Sequence, residues 1–234
     1  MRPFVPILLS ALLSPAVASA QFFSTAAPED VIQVGVRAGL NTSTQTINRD
    51  MFPNWTSSGW GTGFHVGAEV PLGILDFLSI QPGFFYELRS GDYAVSSTVQ
   101  TAQMGHYSMS YLSIPVTVQT NFNINERLRW SVEAGPYFSW RIGSHHSSAL
   151  VMPETISVET PDGPVEINPG TVDYPVGTLA KQKKDYGLKV GTFFLFDRHW
   201  YAGLHYNAGL TRVYKDKDLG GANQMWALTL GYNF

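Results

Sequence analysis

The chain has 234 residues, no cysteine and a formal charge of −3; 14% of it is charged and 13% aromatic. Average soluble domains carry about 25% charged residues, so the balance is shifted towards an apolar surface. The near-neutral charge gives no basic footprint for a nucleic-acid partner, and a chain without cysteine has no disulfide framework. No stretch reaches the roughly 18 continuous apolar residues of a membrane helix.

The first residues read as a targeting segment. Arg2 supplies a positive start, Ile7 to Leu13 an apolar centre, and Ala18-Ser19-Ala20 a small-residue cleavage site. This pattern predicts a secretory signal peptide over residues 1–20, cut before Gln21. The absence of cysteine after it excludes a bacterial lipid anchor. A short periplasmic lead, residues 21–33, comes next and is expected to be mobile up to Asp30.

From Val34 onwards apolar residues occupy every second position, the period of a half-buried strand. Strand one sets Val34, Val36, Ala38 and Leu40 against Gly35, Arg37, Gly39 and Asn41. A loop from Thr42 to Gly61 carries Trp55 and Trp60. Strand two places Phe64, Val66, Ala68 and Val70 on one face and His65, Gly67 and Glu69 on the other. A tight turn, Pro71 to Asp76, leads to strand three, where Leu78, Ile80, Pro82, Phe84, Tyr86 and Leu88 oppose Ser79, Gln81, Gly83, Phe85, Glu87 and Arg89.

A polar, flexible loop is expected from Ser90 to Gly105. Strand four turns Leu112, Ile114, Val116 and Val118 one way and Ser113, Pro115, Thr117 and Gln119 the other. Its start, His106 to Tyr111, reads out of phase, because Tyr107, Met109 and Tyr111 are odd-numbered. A bulge near Ser110, or a rise above the bilayer, accounts for that. After a turn at Asn123 to Arg127, strand five alternates without a break from Leu128 to Ile142. Its inner series is Arg129, Ser131, Glu133, Gly135, Tyr137, Ser139 and Arg141. Pro136 inside it gives no ladder hydrogen bond.

The longest connection, Ser144 to Lys184, contains a hairpin signal, Ile156 to Ile167 around Pro161-Asp162-Gly163. A connection of this length points to structure or function of its own. Strand six carries Tyr186, Leu188, Val190, Thr192, Phe194 and Phe196 outward. Strand seven follows a brief turn with Trp200, Ala202, Leu204, Tyr206, Ala208 and Leu210 outward. The last strand, Gln224 to Phe234, sets Trp226, Leu228, Leu230, Tyr232 and Phe234 against Met225, Ala227, Thr229, Gly231 and Asn233.

No charged residue falls in the eight apolar series, whereas the opposite series holds Arg37, Glu69, Glu87, Arg89, Arg129, Glu133, Arg141, Asp185 and Lys189. A soluble ligand-binding barrel is apolar inside and polar outside; this chain is inverted. An Arg or Lys on the lipid face at mid-bilayer costs about 2–4 kcal/mol, enough to exclude such residues. The pattern therefore predicts an all-β fold: an eight-stranded antiparallel up-and-down transmembrane barrel over residues 34–234. Connections alternate long and short, with the short turns and both barrel ends periplasmic.

Phe77, Phe122, Trp200 and Phe234 mark the short-turn rim, and Trp55, Trp60, Tyr107 and Tyr111 the loop rim. Eight strands leave room only for side chains, so Arg37, Arg129 and Lys189 should pair with Glu69, Glu87 and Glu133 across the lumen. A filled polar plug is the reading, with a proton or ion path as its alternative.

Seven segments in order, V-G-V-R-A-G-L-N at 34–41, G-F-H-V-G-A-E-V at 63–70, Y-L-S-I-P at 111–115, E-A-G-P-Y at 133–137, Y-G-L-K-V-G at 186–191, Y-N-A-G-L-T at 206–211 and the terminal L-G-Y-N-F, carry a resemblance. The chain resembles the PorT-like outer-membrane β-barrel family of Bacteroidetes. That resemblance implies an eight-stranded barrel with a periplasmic N-terminus. The family's namesake belongs to the type IX secretion system, so a secretion component is an alternative role. The way the chain ends is similar to bacterial outer-membrane barrels, in which the terminal strand is read by the barrel-assembly machinery. This implies that role for Trp226, Leu228, Leu230, Tyr232 and Phe234.

No catalytic motif belongs to that family, and the sequence is read as non-enzymatic, without cofactor or metal. His106-Tyr107-Ser108 nevertheless has the His-x-Ser spacing of outer-membrane lipid A deacylases. This keeps a lipid-modifying enzyme as a further alternative, with Asp92 the nearest carboxylate to orient the histidine; chance His-x-Ser is common. His145-His146 points both ways in an extended chain and lacks a third ligand. His65 and His205 are expected to bond within the plug. Lys181, Lys183 and Lys184 form a solvated rim or meet acidic lipopolysaccharide. The expected partners are outer-membrane lipid, the assembly machinery and a protein bound at the 144–184 loop.

Overall fold

The computed structural model describes residues 26–28, 31–46, 55–96, 102–152, 156–160, 163–167, 170–173, 182–212 and 221–234. The expected signal peptide, residues 1–20, lies outside the described residues. The strands are β1 (Gly35–Gln45), β2 (Trp55–Glu69), β3 (Leu72–Leu75), β4 (Leu78–Ser96), β5 (Ala102–Asn123), β6 (Leu128–Met152), β7 (Ile156–Thr160), β8 (Gly163–Ile167), β9 (Gly170–Asp173), β10 (Lys184–Phe196), β11 (Trp200–Gly209) and β12 (Asn223–Asn233).

Eight of them close on themselves. The hydrogen-bonded order is β1-β2-β4-β5-β6-β10-β11-β12, and β12 pairs back to β1. Every pairing is antiparallel. Closure removes the sheet edge, which hydrocarbon does not tolerate. The alternation sets the faces: in β12, Leu228 and Leu230 are 60% and 64% exposed while Met225, Ala227 and Thr229 are buried. Among the described residues the buried set is mostly polar and charged, while the outward series of the barrel wall expose large apolar side chains. It is the inverse of a soluble core, as the alternation of charge along the chain requires.

The barrel has a turn end and a loop end. At the turn end, Phe196 and His199 flank a two-residue turn in which Asp197 and Arg198 have φ of 48° and 64° and His199 N donates to Phe196 O. Both central residues left-handed is the hairpin turn whose twist matches the strands. The expected turn at Pro71–Asp76 instead contains β3, folded back on β4. The lead is held there: Ala26 O accepts from Asp76 N, and Ile32 bridges to Leu72.

At the loop end the strands run further than the alternation indicates. The stretch from Ser90 to Gly105, expected as a loop, is paired strand: Ser90 faces Ser108 and Ser96 faces Ala102. In the stretch expected as a loop at 42–61, β1 reaches Gln45 and β2 starts at Trp55. β6 continues to Met152 and pairs with β9, and β7 and β8 form the hairpin at 156–167. Its apex, Pro161 and Asp162, lies outside the described residues. Strands of 19, 22 and 25 residues exceed the about 9–11 needed to cross a bilayer. Once above the lipid, serines and threonines extend the sheet because neighbouring strands still supply its hydrogen bonds.

The phase of the His106–Tyr111 segment is also different from the expectation. β5 alternates without interruption, and Tyr107, Met109 and Tyr111 point into the lumen, 5%, 1% and 2% exposed. The irregularity sits opposite Ser110 and Tyr111, which pair with Gly143 and Arg141. Ile142 is therefore the extra residue, a bulge in β6. These tyrosines are not part of the loop-end girdle. Trp60, Trp140 and Trp226 are exposed there instead. The turn-end girdle includes Phe122 stacked on Trp130 at 4.9 Å and Trp200 edge-on to Tyr232 at 5.1 Å. The side chain of Trp55 lies outside the described residues.

Candidate functional site

Two arrangements of polar side chains are candidates: the lumen and an outward-facing patch at the loop end. The lumen holds three charged layers. Nearest the turn end, Arg129 donates to Asp76 at 3.0 Å and to Asn123 at 2.8 Å, and Asn123 donates to Asp76 at 3.0 Å. Arg129 was expected to reach the lumen glutamates. It sits low on β6, at the mouth, where the turn carboxylate is nearer. Asp76 lies in a turn, so no alternation gives its direction.

The middle layer joins β1, β2, β4, β6, β10, β11 and β12. Arg37 Nε pairs with Glu69 Oε2 at 3.1 Å, and Gln81 donates to the same oxygen. Arg37 Nη2 donates to Asn233 at 2.6 Å, and its guanidinium lies 4.0 Å from the centre of the Tyr201 ring. Lys189 Nζ lies 3.2 Å from Glu69 and 2.9 Å from Glu133. His205 faces Glu133 with Nδ1 at 2.9 Å and Tyr201 with Nε2 at 2.8 Å. His65 meets Thr229 at 2.9 Å.

The upper layer is centred on Arg89. It pairs with Glu87 at 2.6 Å and with Asp185 at 2.7 Å. Glu87 thus pairs with its neighbour two residues along β4, not with Arg37, Arg129 or Lys189, because residues two apart on a strand share a face. Asp185 also accepts from Thr211 at 2.6 Å, Asn223 at 3.0 Å and Tyr137 at 3.3 Å. Above it, Arg89 lies 4.6 Å from the Tyr111 ring centre, and Tyr111 donates to Met109 Sδ at 3.3 Å. This aromatic lid had no sequence signal beyond its odd numbering.

Between the middle and upper layers lies a cavity of about 20 Å³, lined by His65, Glu69, Glu87, Lys189, His205 and Asn207 among others. That is room for about one water. At the turn-end mouth a second cavity measures about 60 Å³. Among the described residues the lumen is filled, with two cations against two carboxylates in the middle layer and one cation against two carboxylates in the upper layer.

The outward patch is different in kind. Asp92 and His106 are register partners on β4 and β5, and His106 Nδ1 lies 2.7 Å from Asp92 Oδ1. Their side chains are 60% and 47% exposed. Ser108 lies on the same face, two residues along β5, and its partner on β6 is His145. Directly opposite residues of an antiparallel pair bring their Cβ atoms to about 4.5–5.5 Å. The bulge at Ile142 turns His145 to the outer face. Among the described residues no group of three metal-ligating side chains is assembled, and the side chain of His146 lies outside them. Lys184 sits 5.7 Å from the Trp140 ring centre at the same rim; Lys181 is outside the described residues.

The terminal strand places Trp226, Leu228, Leu230 and Phe234 on the lipid side, exposed, with Tyr232 beside Phe234 at 5.2 Å. β12 is zipped between β11 and β1, with Tyr232 opposite both Trp200 and Val36.

A family model described as outer membrane protein beta-barrel domain matches residues 20–215. No curated protein matches the chain. Solved structures similar to it include the attachment invasion locus protein Ail of Yersinia pestis in complex with the heparin analogue sucrose octasulfate. That match has 12% identity, covers 88% of this chain and all of that one, and has a TM-score of 0.39. Another is the outer membrane protein OprG of Pseudomonas aeruginosa, with 10% identity, 92% and 99% coverage and a TM-score of 0.46. Neisserial surface protein A matches at 12% identity, 86% and 95% coverage and a TM-score of 0.38. These likenesses carry no argument about role. The match over most of the length, together with the closed eight-stranded sheet, makes this chain a member of the outer membrane protein beta-barrel domain family, located in the bacterial outer membrane.

Proposed function

We propose that the protein is a non-conducting barrel that works through its external face: its long strands and the 144–184 connection bind a partner outside the membrane. One observation carries this. The lumen is occupied along its length and capped by Tyr107, Met109 and Tyr111, so no solute path competes with the outer surface for function. A sheet projecting beyond the bilayer, extended by β9 and followed in the same connection by the separate two-stranded β7–β8 hairpin, supplies a platform of the kind that positions recognition loops.

Deleting residues 155–168 removes the hairpin without touching the eight closing strands. The expected outcome is loss of cross-linked envelope partners from native membranes, with heat-modifiable migration of the barrel retained. Unchanged cross-linking by a folded deletion variant overturns the proposal. A PorT-like identity, supported by the seven ordered segments, is the finer form of this reading and makes the partner an envelope complex. Periplasmic retention of secreted cargo in a deletion strain tests that form.

A further inference from the structure

The geometry points to a serine esterase site on the outer wall of the barrel, built from Asp92, His106, Ser108 and His145, that hydrolyses the acyl ester of an outer-leaflet lipid. This goes beyond partner binding and uses a different part of the surface from the 155–168 hairpin.

The position is set by β5. Its outward series reads Val118, Val116, Ile114 and Leu112, then Ser110, Ser108 and His106. The change from apolar to polar marks the upper limit of the hydrocarbon band. The girdle is local to it: Trp140 is the register partner of Leu112, and the Tyr86 hydroxyl lies 2.9 Å from Ser110 Oγ. Rings with a polar tip favour that level. Ester groups of membrane lipids lie between the acyl chains and the headgroups, so a hydroxyl just above the band meets them from the side. Lys184, opposite Trp140 on β10, is exposed at this height to attract a lipid phosphate.

The chemistry is set by the cross-strand pairs. A histidine whose Nδ1 is held by a carboxylate presents Nε2 as a base, and the carboxylate stabilises the imidazolium that forms. Asp92 and His106 make that contact at 2.7 Å. Ser108 is the nucleophile on the same face, about 6.6 Å further along the strand backbone, within the span of a histidine side chain. Ser108 Oγ adds to the ester carbonyl as its proton passes to His106 Nε2. His145, the register partner of Ser108, donates its ring N–H to the carbonyl oxygen as charge develops there. Collapse breaks the ester C–O bond, and His106 returns the proton to the leaving alcohol. Water, deprotonated by His106, then releases the fatty acid and restores Ser108. The sum is ester plus water to acid plus alcohol.

The test uses the full barrel reconstituted separately into vesicles of lipopolysaccharide and of phosphatidylethanolamine with phosphatidylglycerol, with released fatty acid read by mass spectrometry. The expected result is release from at least one of the two. The arm that responds identifies whether lipid A or a glycerophospholipid is the source. Ser108→Ala and His106→Ala should lower release by about 10²–10⁴-fold, and His145→Ala by about 10²–10³-fold. A fluorophosphonate probe should label Ser108 in the unaltered protein and not in His106→Ala, which reads the site independently of the lipid. His106 and His145 are exposed and Ser108 is half-buried on the outer face, so each variant should keep heat-modifiable migration. No release from either vesicle together with no labelling of Ser108, or release that survives Ser108→Ala, overturns the proposal. Unchanged turnover in His145→Ala overturns its part as oxyanion donor.

Discussion

Lys189 is the residue through which most of the lumen is tied together. It reaches Glu69 on β2 and Glu133 on β6 from its place on β10, and so ties β2 across the lumen to the neighbouring pair β6 and β10. Buried charges are costly to desolvate, and removing one partner leaves the others uncompensated. Lys189→Met should therefore destabilise the barrel by about 3–5 kcal/mol, read by urea unfolding in detergent micelles. Adding Glu133→Gln to that variant should recover part of the loss, because it removes a carboxylate left without its cation. A second test concerns Gly191. A Cβ built there would collide with His205 Nδ1 and come within 3.2 Å of Glu133 Oε1. Gly191→Ala should thus lower the unfolding midpoint although it adds only one methyl group. The direction of each of these side chains was legible from its parity. Its partner was not, because which inward residues meet depends on strand tilt and stagger, which the two-residue period does not encode. Arg129 and Glu87 are the instances: each lies in the lumen, and each pairs with a carboxylate or guanidinium other than the expected one.

β5 and β6 decide what happens at the loop end. The extra residue Ile142 lets β6 change phase while β5 does not. One consequence is a lid of Tyr107, Met109 and Tyr111 over the charged layers; the other is an outward His145 beside Ser108. Emptying an aromatic core site costs about 3–5 kcal/mol, and Tyr111→Ala also removes the ring that faces the Arg89 guanidinium. That variant should lose stability in this range in the same unfolding measurement. From sequence, aromatics near the loop end look like girdle residues, because rings are common in both places; only the unbroken parity of β5 separates the two. Strand ends were equally hard to read. Above the lipid there is no penalty on polar outward residues, so the alternation fades at Ser110 although the sheet continues to Ala102. Prolines also shape these strands. The β5–β6 ladder pairs Pro115 with Tyr137 and resumes at Val118 with Ala134, and the interruption covers Pro136, which has no N–H to give.

For the whole molecule, the decisive property is the inversion of inside and outside, and it was legible because lipid punishes charge at every crossing. Trp130, Phe194, Leu204 and Leu228 lie on the exposed wall, while Arg37, Glu133 and Lys189 lie within it. The chain has no native cysteine, so single cysteines can be spin-labelled one at a time along β10, from Tyr186 to Phe196, in reconstituted bilayers. Accessibility to oxygen, which concentrates in hydrocarbon, should alternate with a period of two, high at Leu188, Val190 and Phe194 and low at Gly187, Lys189 and Phe193. A flat profile, or one with the odd positions facing oxygen, would contradict the account.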